Sequence, residues 1–342
     1  MKFGISFTAT FLNQAGALVH IYTDGSIHLN HGGTEMGQGL NTKVAQVVAE
    51  VFQVDIGRIQ ITATNTDKVP NTSPTAASSG TDLNGKAAQN AAETIKGRLV
   101  EFLANHFKVT AEDVEFKNEQ VRVRDHYLSF EEMIQLAYFN QISLSSTGFY
   151  RTPKIFYDRD KASGRPFYYF AYGAACAEVI VDTLTGEYKM LRTDILHDVG
   201  ASLNPAIDIG QVEGAFVQGM GWLTMEELVW NAKGKLMTSG PASYKIPAIA
   251  DMPIDLRVKL VENRKNPEQT VFHSKAVGEP PFMLGIAVWC AIKDAVASLG
   301  DYKVQPQIDA PATPERVLWG VEQMRKLQQP AQAAAQAETE PA

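Results

Sequence analysis

Apolar and β-branched residues fill positions 17–22 and resume at Ile27-His28-Leu29, with Thr23-Asp24-Gly25-Ser26 between them. Asp-Gly flanked by such runs predicts a β-hairpin. Apolar residues at 44, 47, 48 and 51 then recur at helical spacing and predict a helix over 42–52. An alternating strand follows at 59–64, then a loop holding Pro70, Asn71, Ser73 and Pro74, then one long amphipathic helix over 85–107. Residues 110–140 read as short strands and a short helix.

The second part of the chain repeats the pattern at larger scale. Residues 175–181 and 188–196 flank Thr185-Gly186 and predict a longer hairpin. Residues 205–228 read as glycine-punctuated helix, 254–261 as a strand, and 281–299 as a helix apolar nearly all round at its start and therefore buried. Thr313-Pro314 predicts an N-cap with Pro in the first turn, opening a helix to about Leu327. The tail 328–342 is almost entirely Ala, Gln, Pro and Glu, with nothing to bury, and is expected to be disordered. The fold class expected is α+β: two lobes of mixed or antiparallel sheet with packed helices, divided as 1–145 and 146–327.

Charge and composition narrow the function. The net charge is −7 and the 31 basic residues are scattered, so no phosphate-tracking surface forms and nucleic acid is not expected as a partner. The longest apolar run, from Phe282 to Ile292, stops at Lys293, too short to span a bilayer, and no signal peptide is visible. Cys176 and Cys290 lie far apart in apolar stretches, which predicts buried, reduced thiols in a cytoplasmic protein and no cluster site of their own.

Small and polar residues concentrate in four loops. His31-Gly32-Gly33-Thr34-Glu35-Met36-Gly37-Gln38-Gly39 lets backbone approach a ligand closely, yet lacks P-loop or dinucleotide spacing, and a plain strand-to-helix turn fits as well. Pro74-Thr75-Ala76-Ala77-Ser78-Ser79-Gly80-Thr81-Asp82 precedes the long helix. Its amides and hydroxyls suit an oxyanion, and simple N-capping by Ser79, Thr81 or Asp82 explains them too. Residues 204–221 combine Gly210, Gly214, Gly219 and Gly221 with Gln218 amid apolar neighbours, which suits a ligand amide or a tight helix contact. In Ser274-Lys275-Ala276-Val277-Gly278-Glu279-Pro280-Pro281, a carboxylate fixed by prolines before an apolar helix should be partly desolvated, which raises its pKa and suits a general base. Stabilisation by the helix dipole is the competing reading. His28 and His31 are three apart in a strand and face opposite sides, and His197-Asp198 is a lone pair of a kind usually structural.

Taken in order, these loops resemble the molybdopterin-binding loops of the xanthine oxidase/dehydrogenase family. The resemblance is carried by Phe7-Thr8, Phe11-Leu12-Asn13-Gln14-Ala15-Gly16, 31–40, 73–78, Thr147-Gly148-Phe149-Tyr150, 203–219 and 275–281, and covers nearly all of 3–320. It implies the later half of the molybdenum region. Gln38, with Met36 and Gly37, would contact the cofactor near its oxo group. The backbone of Ala76 and Ala77 would close on the molybdenum, Ser78, Thr81 and Gln218 would meet the pterin, and Glu279 would be the catalytic base. Phe7 would meet a purine ring at its edge and Thr8 would hydrogen-bond it. In that family the metal is held by the cofactor's dithiolene and by no protein side chain.

The implied activity is hydroxylation of hypoxanthine or xanthine at an electron-poor ring carbon, with hydride passing to Mo=S. The cofactor is molybdopterin, as Mo-molybdopterin or its dinucleotide form. The earlier half of the molybdenum region, and the [2Fe–2S] and FAD groups of an iron–sulfur/flavin subunit, would lie on partner chains. A truncated, non-catalytic fragment and an aldehyde oxidase-type hydroxylase are the alternatives. Phe7-Thr8 with Phe11-Leu12-Asn13-Gln14 favours the xanthine branch over the latter.

Overall fold

The computed structural model describes residues 1–69 and 72–337 of the chain. Strand β1 (Lys2–Ile5) comes first, then the hairpin of β2 (Gln14–Ile21) and β3 (Ile27–His31). Helix α1 (Leu40–Phe52) follows the glycine-rich turn, and β4 (Ile59–Ile61) runs parallel to β3. A single π turn, Thr81–Gly85, opens into the long helix α2 (Lys86–Phe107). The meander β5 (Val114–Lys117), β6 (Gln120–Val123) and β7 (His126–Ser129) leads into α3 (Phe130–Phe139), where Ser129 and Glu132 cap each other's backbone amides. Next come β8 (Ser145–Arg151) and a small hairpin of β9 (Phe156–Asp158) and β10 (Ser163–Arg165). The long hairpin is β11 (Tyr169–Val181) and β12 (Tyr188–His197). Then come α4 (Pro205–Thr224), β13 (Asp255–Leu260), α5 (Ile286–Ser298) and α6 (Pro314–Ala337).

The two main sheets share a topology. One has the order β4-β3-β2-β8 and the other β13-β12-β11-β1. In each, the second hairpin strand takes a parallel partner and the first takes an antiparallel one. In each, the chain leaves the hairpin into a helix (α1 or α4), returns as the parallel strand (β4 or β13), and later enters a further helix (α2 or α5). The expected division at 145/146 is crossed in both directions: β8 closes the first sheet, and β1, from the start of the chain, closes the second.

Small residues set how closely helices approach these sheets. Ala87, Ala88, Ala91 and Ala92 on α2 are fully buried, and a Cβ on Gly148 of β8 would lie 2.1 Å from the Ala87 carbonyl oxygen. Leu99, Leu103 and Ile95 complete that core, each side chain contributing about 1.5–3 kcal/mol by leaving water. The second core is built on Val212, Phe216, Val288 and Ile292. There α4 meets the 3₁₀ turn Pro280–Gly285 backbone to backbone, since a Cβ on Gly219 would sit 2.1 Å from the Phe282 carbonyl.

Several sequence expectations change. Both cysteines are exposed, because Cys176 lies on the uncovered face of β11 and Cys290 on the outer side of α5. Helix α5 is therefore not buried all round: it packs on β11 and α4 and leaves Ile286 exposed. The run Pro280–Ser298 is long and apolar enough to cross a membrane by length and composition alone. The glycine-punctuated helix ends at Thr224, and α6 continues past Leu327 to Ala337, since Ala and Gln are good helix formers. Residues 338–342 of the expected disordered tail lie outside the described residues.

Candidate functional site

All four small-residue loops arrive at one cavity of about 510 Å³. The shared topology explains why. The first and third loops follow the second strand of each hairpin, and the second and fourth precede α2 and α5. The same two corners of each lobe thus face one another.

The glycine-rich turn after β3 is organised by Glu35. Its carboxylate accepts from the amides of Gly37, Gly39 and Asn41 at 2.9–3.0 Å and so caps α1, whose N-cap Gly39 has no side chain to do so. Partial burial pushes the Glu35 pKa up, but the amides of Asn41, Gly39, Gly37 and Leu40 outweigh it and the net shift is downward. The Gln38 amide folds back, donating to Thr34 O at 2.8 Å and accepting from Met36 N at 2.5 Å. Thr34 N donates to Thr75 Oγ1 at 2.9 Å, joining this turn to the next loop.

In that second loop Ala77 (φ 54°) and Ser78 (φ 52°) are both left-handed, a strained conformation for residues with a Cβ. The N-capping expected of Ser79, Thr81 or Asp82 does not occur. Ser79 Oγ donates back to Ala76 O, and neither Thr81 nor Asp82 caps the helix. Asp82 instead accepts at Oδ2 from the Tyr169 hydroxyl at 2.6 Å, and that hydroxyl accepts from Ala276 N at 2.7 Å. Complete burial pushes the Asp82 pKa up to about 7 against the pull of Tyr169 and Lys43.

The third loop delivers α4, with Asn204 Oδ1 accepting from Ile207 N and Pro205 in the first turn. Its Asp208 pairs with Lys43 of α1, both side chains nearly inaccessible, and accepts from Ser202 Oγ at 2.5 Å. In the fourth loop Lys275 Nζ reaches Asp198 Oδ2 at 2.7 Å, again buried. Both buried cations thus have partners, as low-dielectric sites require. Glu279 follows. Its amide donates to Ser78 Oγ at 2.7 Å. Burial raises its carboxyl pKa against the opposing pull of the Ser78 and Ala77 amides.

Of the residues expected at the site, Met36, Gln38, Ala76, Ser78, Thr81, Gln218 and Glu279 line the cavity. Gly37 and Ala77 shape its loops from behind and are not in its wall. Phe7 and Thr8 do not reach it. They sit in a turn that Asn13 staples, accepting from Phe7 N and donating to Phe7 O, both at 2.9 Å. Gln218 is exposed at the cavity and not buried among apolar neighbours, since α4 turns that face outward.

Sequence reading missed Lys43, Asp82, Asp208, Gln211 and Lys275 in the wall. Gln211 lies about two helical turns before Gln218, and its Oε1 would be 3.8 Å from a Cβ on Gly278. A glutamine seven residues earlier on the same helix face, and lysines set among small or apolar residues, were the available signals. His197 is fully buried with no hydrogen-bond partner at either ring nitrogen, so it forms no ligand pair with Asp198. No group of three or more His, Cys, Asp or Glu converges to hold a metal among the described residues.

Residues 1–253 match the family described as molybdopterin cofactor-binding domain. The chain is 51% identical over 322 residues to a xanthine dehydrogenase/oxidase of Mus musculus, covering 92% of this chain and 23% of that protein. It is 49% identical over 327 residues to a xanthine dehydrogenase of Oryza sativa subsp. japonica, covering 92% of this chain and 22% of that one. It thus spans about a quarter of the length of these relatives. Among solved structures, quinoline 2-oxidoreductase from Pseudomonas putida superposes with a TM-score of 0.80 at 24% identity, over 94% of this chain and 41% of that one. Aldehyde oxidoreductase from Desulfovibrio gigas gives 0.72 at 22% identity, over 94% and 32%. At that identity the likeness is one of fold.

Proposed function

The chain belongs to the molybdopterin cofactor-binding domain family, and from that premise we propose that it is the base-bearing part of a molybdenum hydroxylase acting on purines such as hypoxanthine and xanthine. The observation that carries this reading is Glu279: a half-buried carboxyl with a raised pKa, fixed by its own amide on Ser78 and facing a cavity of about 510 Å³.

The wall suits a pterin, a ring system rich in alternating donors and acceptors. It presents the amides of Gln38, Gln211 and Gln218 and the hydroxyls of Thr75, Ser78 and Thr81. Among the described residues the side chains of Gln211 and Gln218 make no hydrogen bond within the chain, so their amides are available to a ligand. Gly278 keeps the fourth loop close to the second, since a Cβ there would be 3.2 Å from Ser78 Oγ. Gln38, Ser78, Thr81, Gln211 and Gln218 would hold the cofactor, with the backbone at Ala76 and Ala77 nearest its reactive end. When bound, it supplies a redox-active molybdenum centre that accepts an electron pair from the substrate.

Glu279 is the proton acceptor. Its raised pKa makes it a stronger base than an ordinary carboxylate, and it takes up the proton released as oxygen attacks the substrate carbon. The prolines at 280 and 281 limit its backbone freedom, so little ordering is left for the reaction to impose. Phe7 and Thr8 would contact the purine from a turn beyond the cavity wall. The remainder of the substrate and cofactor site, and the [2Fe–2S] and FAD groups, would come from the rest of the enzyme, of which this chain spans about a quarter.

The test measures molybdenum content and turnover of hypoxanthine, xanthine and aldehydes by the purified chain, alone and co-produced with the rest of the enzyme. Neither molybdenum nor turnover is expected of the chain alone. Both are expected of the assembly, with purines preferred. An assembly free of molybdenum, or one that oxidises only aldehydes, would overturn the proposal.

A further inference from the structure

Besides the pull of the Ser78 and Ala77 amides on the Glu279 carboxyl, two links fix the backbone of the fourth loop on the second. One is the direct bond from Glu279 N to Ser78 Oγ. The other passes through a side chain from a different element: Asp82 Oδ2 accepts from Tyr169 OH, and Tyr169 OH accepts from Ala276 N. Asp82 is the second residue of the π turn before α2, Tyr169 begins β11, and Ala276 lies three residues before Glu279. All three are buried, and Asp82 and Ala276 also line the cavity.

This second link is directional. A hydroxyl has a single proton. Because Tyr169 gives its proton to Asp82, its oxygen lone pairs are turned to the Ala276 amide. Asp82 is thus the acceptor that orients the hydroxyl. The Asp82 carboxylate has no other hydrogen-bond partner among the described residues, and Lys43, the cation whose field lowers its pKa, pairs with Asp208. Its pKa of about 7 keeps a substantial neutral fraction at physiological pH, and both its charged and its neutral form can accept from Tyr169.

We propose that Asp82 and Tyr169 are positioning residues for Glu279, holding the Ala276 amide so that the four-residue segment ending at Glu279 presents its carboxylate to the cavity. The proposal rests on Glu279 being the base, and it assigns Asp82 and Tyr169 a separate role, exerted through the Ala276 amide.

The test uses the assembled, molybdenum-loaded enzyme with Tyr169→Phe, Asp82→Ala, Asp82→Asn and Glu279→Gln. Two readouts are taken: kcat and KM, and hydrogen exchange of the peptide spanning Ala276 to Glu279. Tyr169→Phe leaves the Ala276 amide without an acceptor. It should lower kcat by about 10–100-fold with KM little changed, and speed exchange at Ala276 by at least about 10-fold. Asp82→Ala should do the same, because the hydroxyl loses its orienting acceptor. Asp82→Asn keeps an acceptor carbonyl in the same place and should retain both wild-type exchange and most of the turnover.

Unchanged exchange in Tyr169→Phe would overturn the proposal, as would Asp82→Asn being as impaired as Asp82→Ala. If Tyr169→Phe does not accumulate, the two Asp82 variants decide alone. Full turnover by Glu279→Gln would sink the base assignment, and the exchange readout would still report on the clamp independently.

Discussion

The backbone amide of Glu279 donates to the hydroxyl oxygen of Ser78 at 2.7 Å, joining loops 201 positions apart in the chain. The same Ser78 sits in a left-handed conformation next to a left-handed Ala77, so one strained turn fixes the carboxylate loop. Replacing Ser78 by Ala removes the acceptor and leaves a partly buried amide unpaired. The expected loss is roughly 1–3 kcal/mol of stability, read from the urea midpoint, together with a fall in turnover. Wild-type stability and turnover in Ser78→Ala would show that the bond is incidental.

Glu279→Gln should reduce turnover by about 10²–10⁴-fold in the assembled enzyme, with the cofactor retained. Glu35→Gln should keep far more activity. Its carboxylate is already committed to the amides that cap α1, and its pKa moves down, away from the range of a base. Steady-state rates normalised to molybdenum content decide between them. Near-normal rates for Glu279→Gln would place the base elsewhere.

Stability should peak near pH 6.5. Burial depresses His31 and His197 from 6.5 to about 4, so the stability they contribute is complete above pH 6.5 and is lost as pH falls toward 4, roughly 3 kcal/mol each. Asp82 behaves oppositely. Burial raises it from 3.8 to about 7, so its contribution is complete below pH 3.8 and is lost as pH rises through 7. Between pH 4 and 6.5 the two histidines outweigh the single carboxyl. Thermal unfolding from pH 4 to 8 checks the shape: Asp82→Asn should flatten the alkaline side and His197→Phe the acid side. A flat profile in the wild type would contradict the burial argument.

Gly148→Val should destabilise the first lobe by about 1–3 kcal/mol or more, since its Cβ would press on the Ala87 carbonyl and the Ala91 amide of α2. These are backbone atoms and cannot rotate away. A wild-type urea midpoint for this variant would mean that α2 shifts freely on its sheet.

Local elements were legible because they depend on neighbours in sequence. The Asp24-Gly25 turn, the apolar spacing of α1 and α2, and Asn204-Pro205 at the start of α4 all state their structure within a few residues. The loops were legible too, as concentrations of glycine and small polar residues. What could not be read was pairing at long range. Nothing near Asp82 indicates that its partner is Tyr169, and nothing near Lys43 indicates Asp208, so a buried clamp reads locally as a helix cap and a buried ion pair leaves no local sign. The exposure of Cys176 and Cys290 escaped for a related reason: an apolar sequence neighbourhood does not say which face of a strand or helix is left uncovered.

The edge position of β1 has a consequence for vectorial synthesis. Lys2–Ile5 pairs with Tyr169–Tyr172, a strand that emerges about 160 residues later. At ribosomal speeds of roughly 5–20 residues per second, β1 waits about ten to thirty seconds with its hydrogen-bonding edge unpaired. The first lobe, whose sheet is completed by Arg151, can consolidate during that interval without it. The residues of β1 thus find their place long after they are made, and a chaperone or a neighbouring chain has a defined window in which to reach them first.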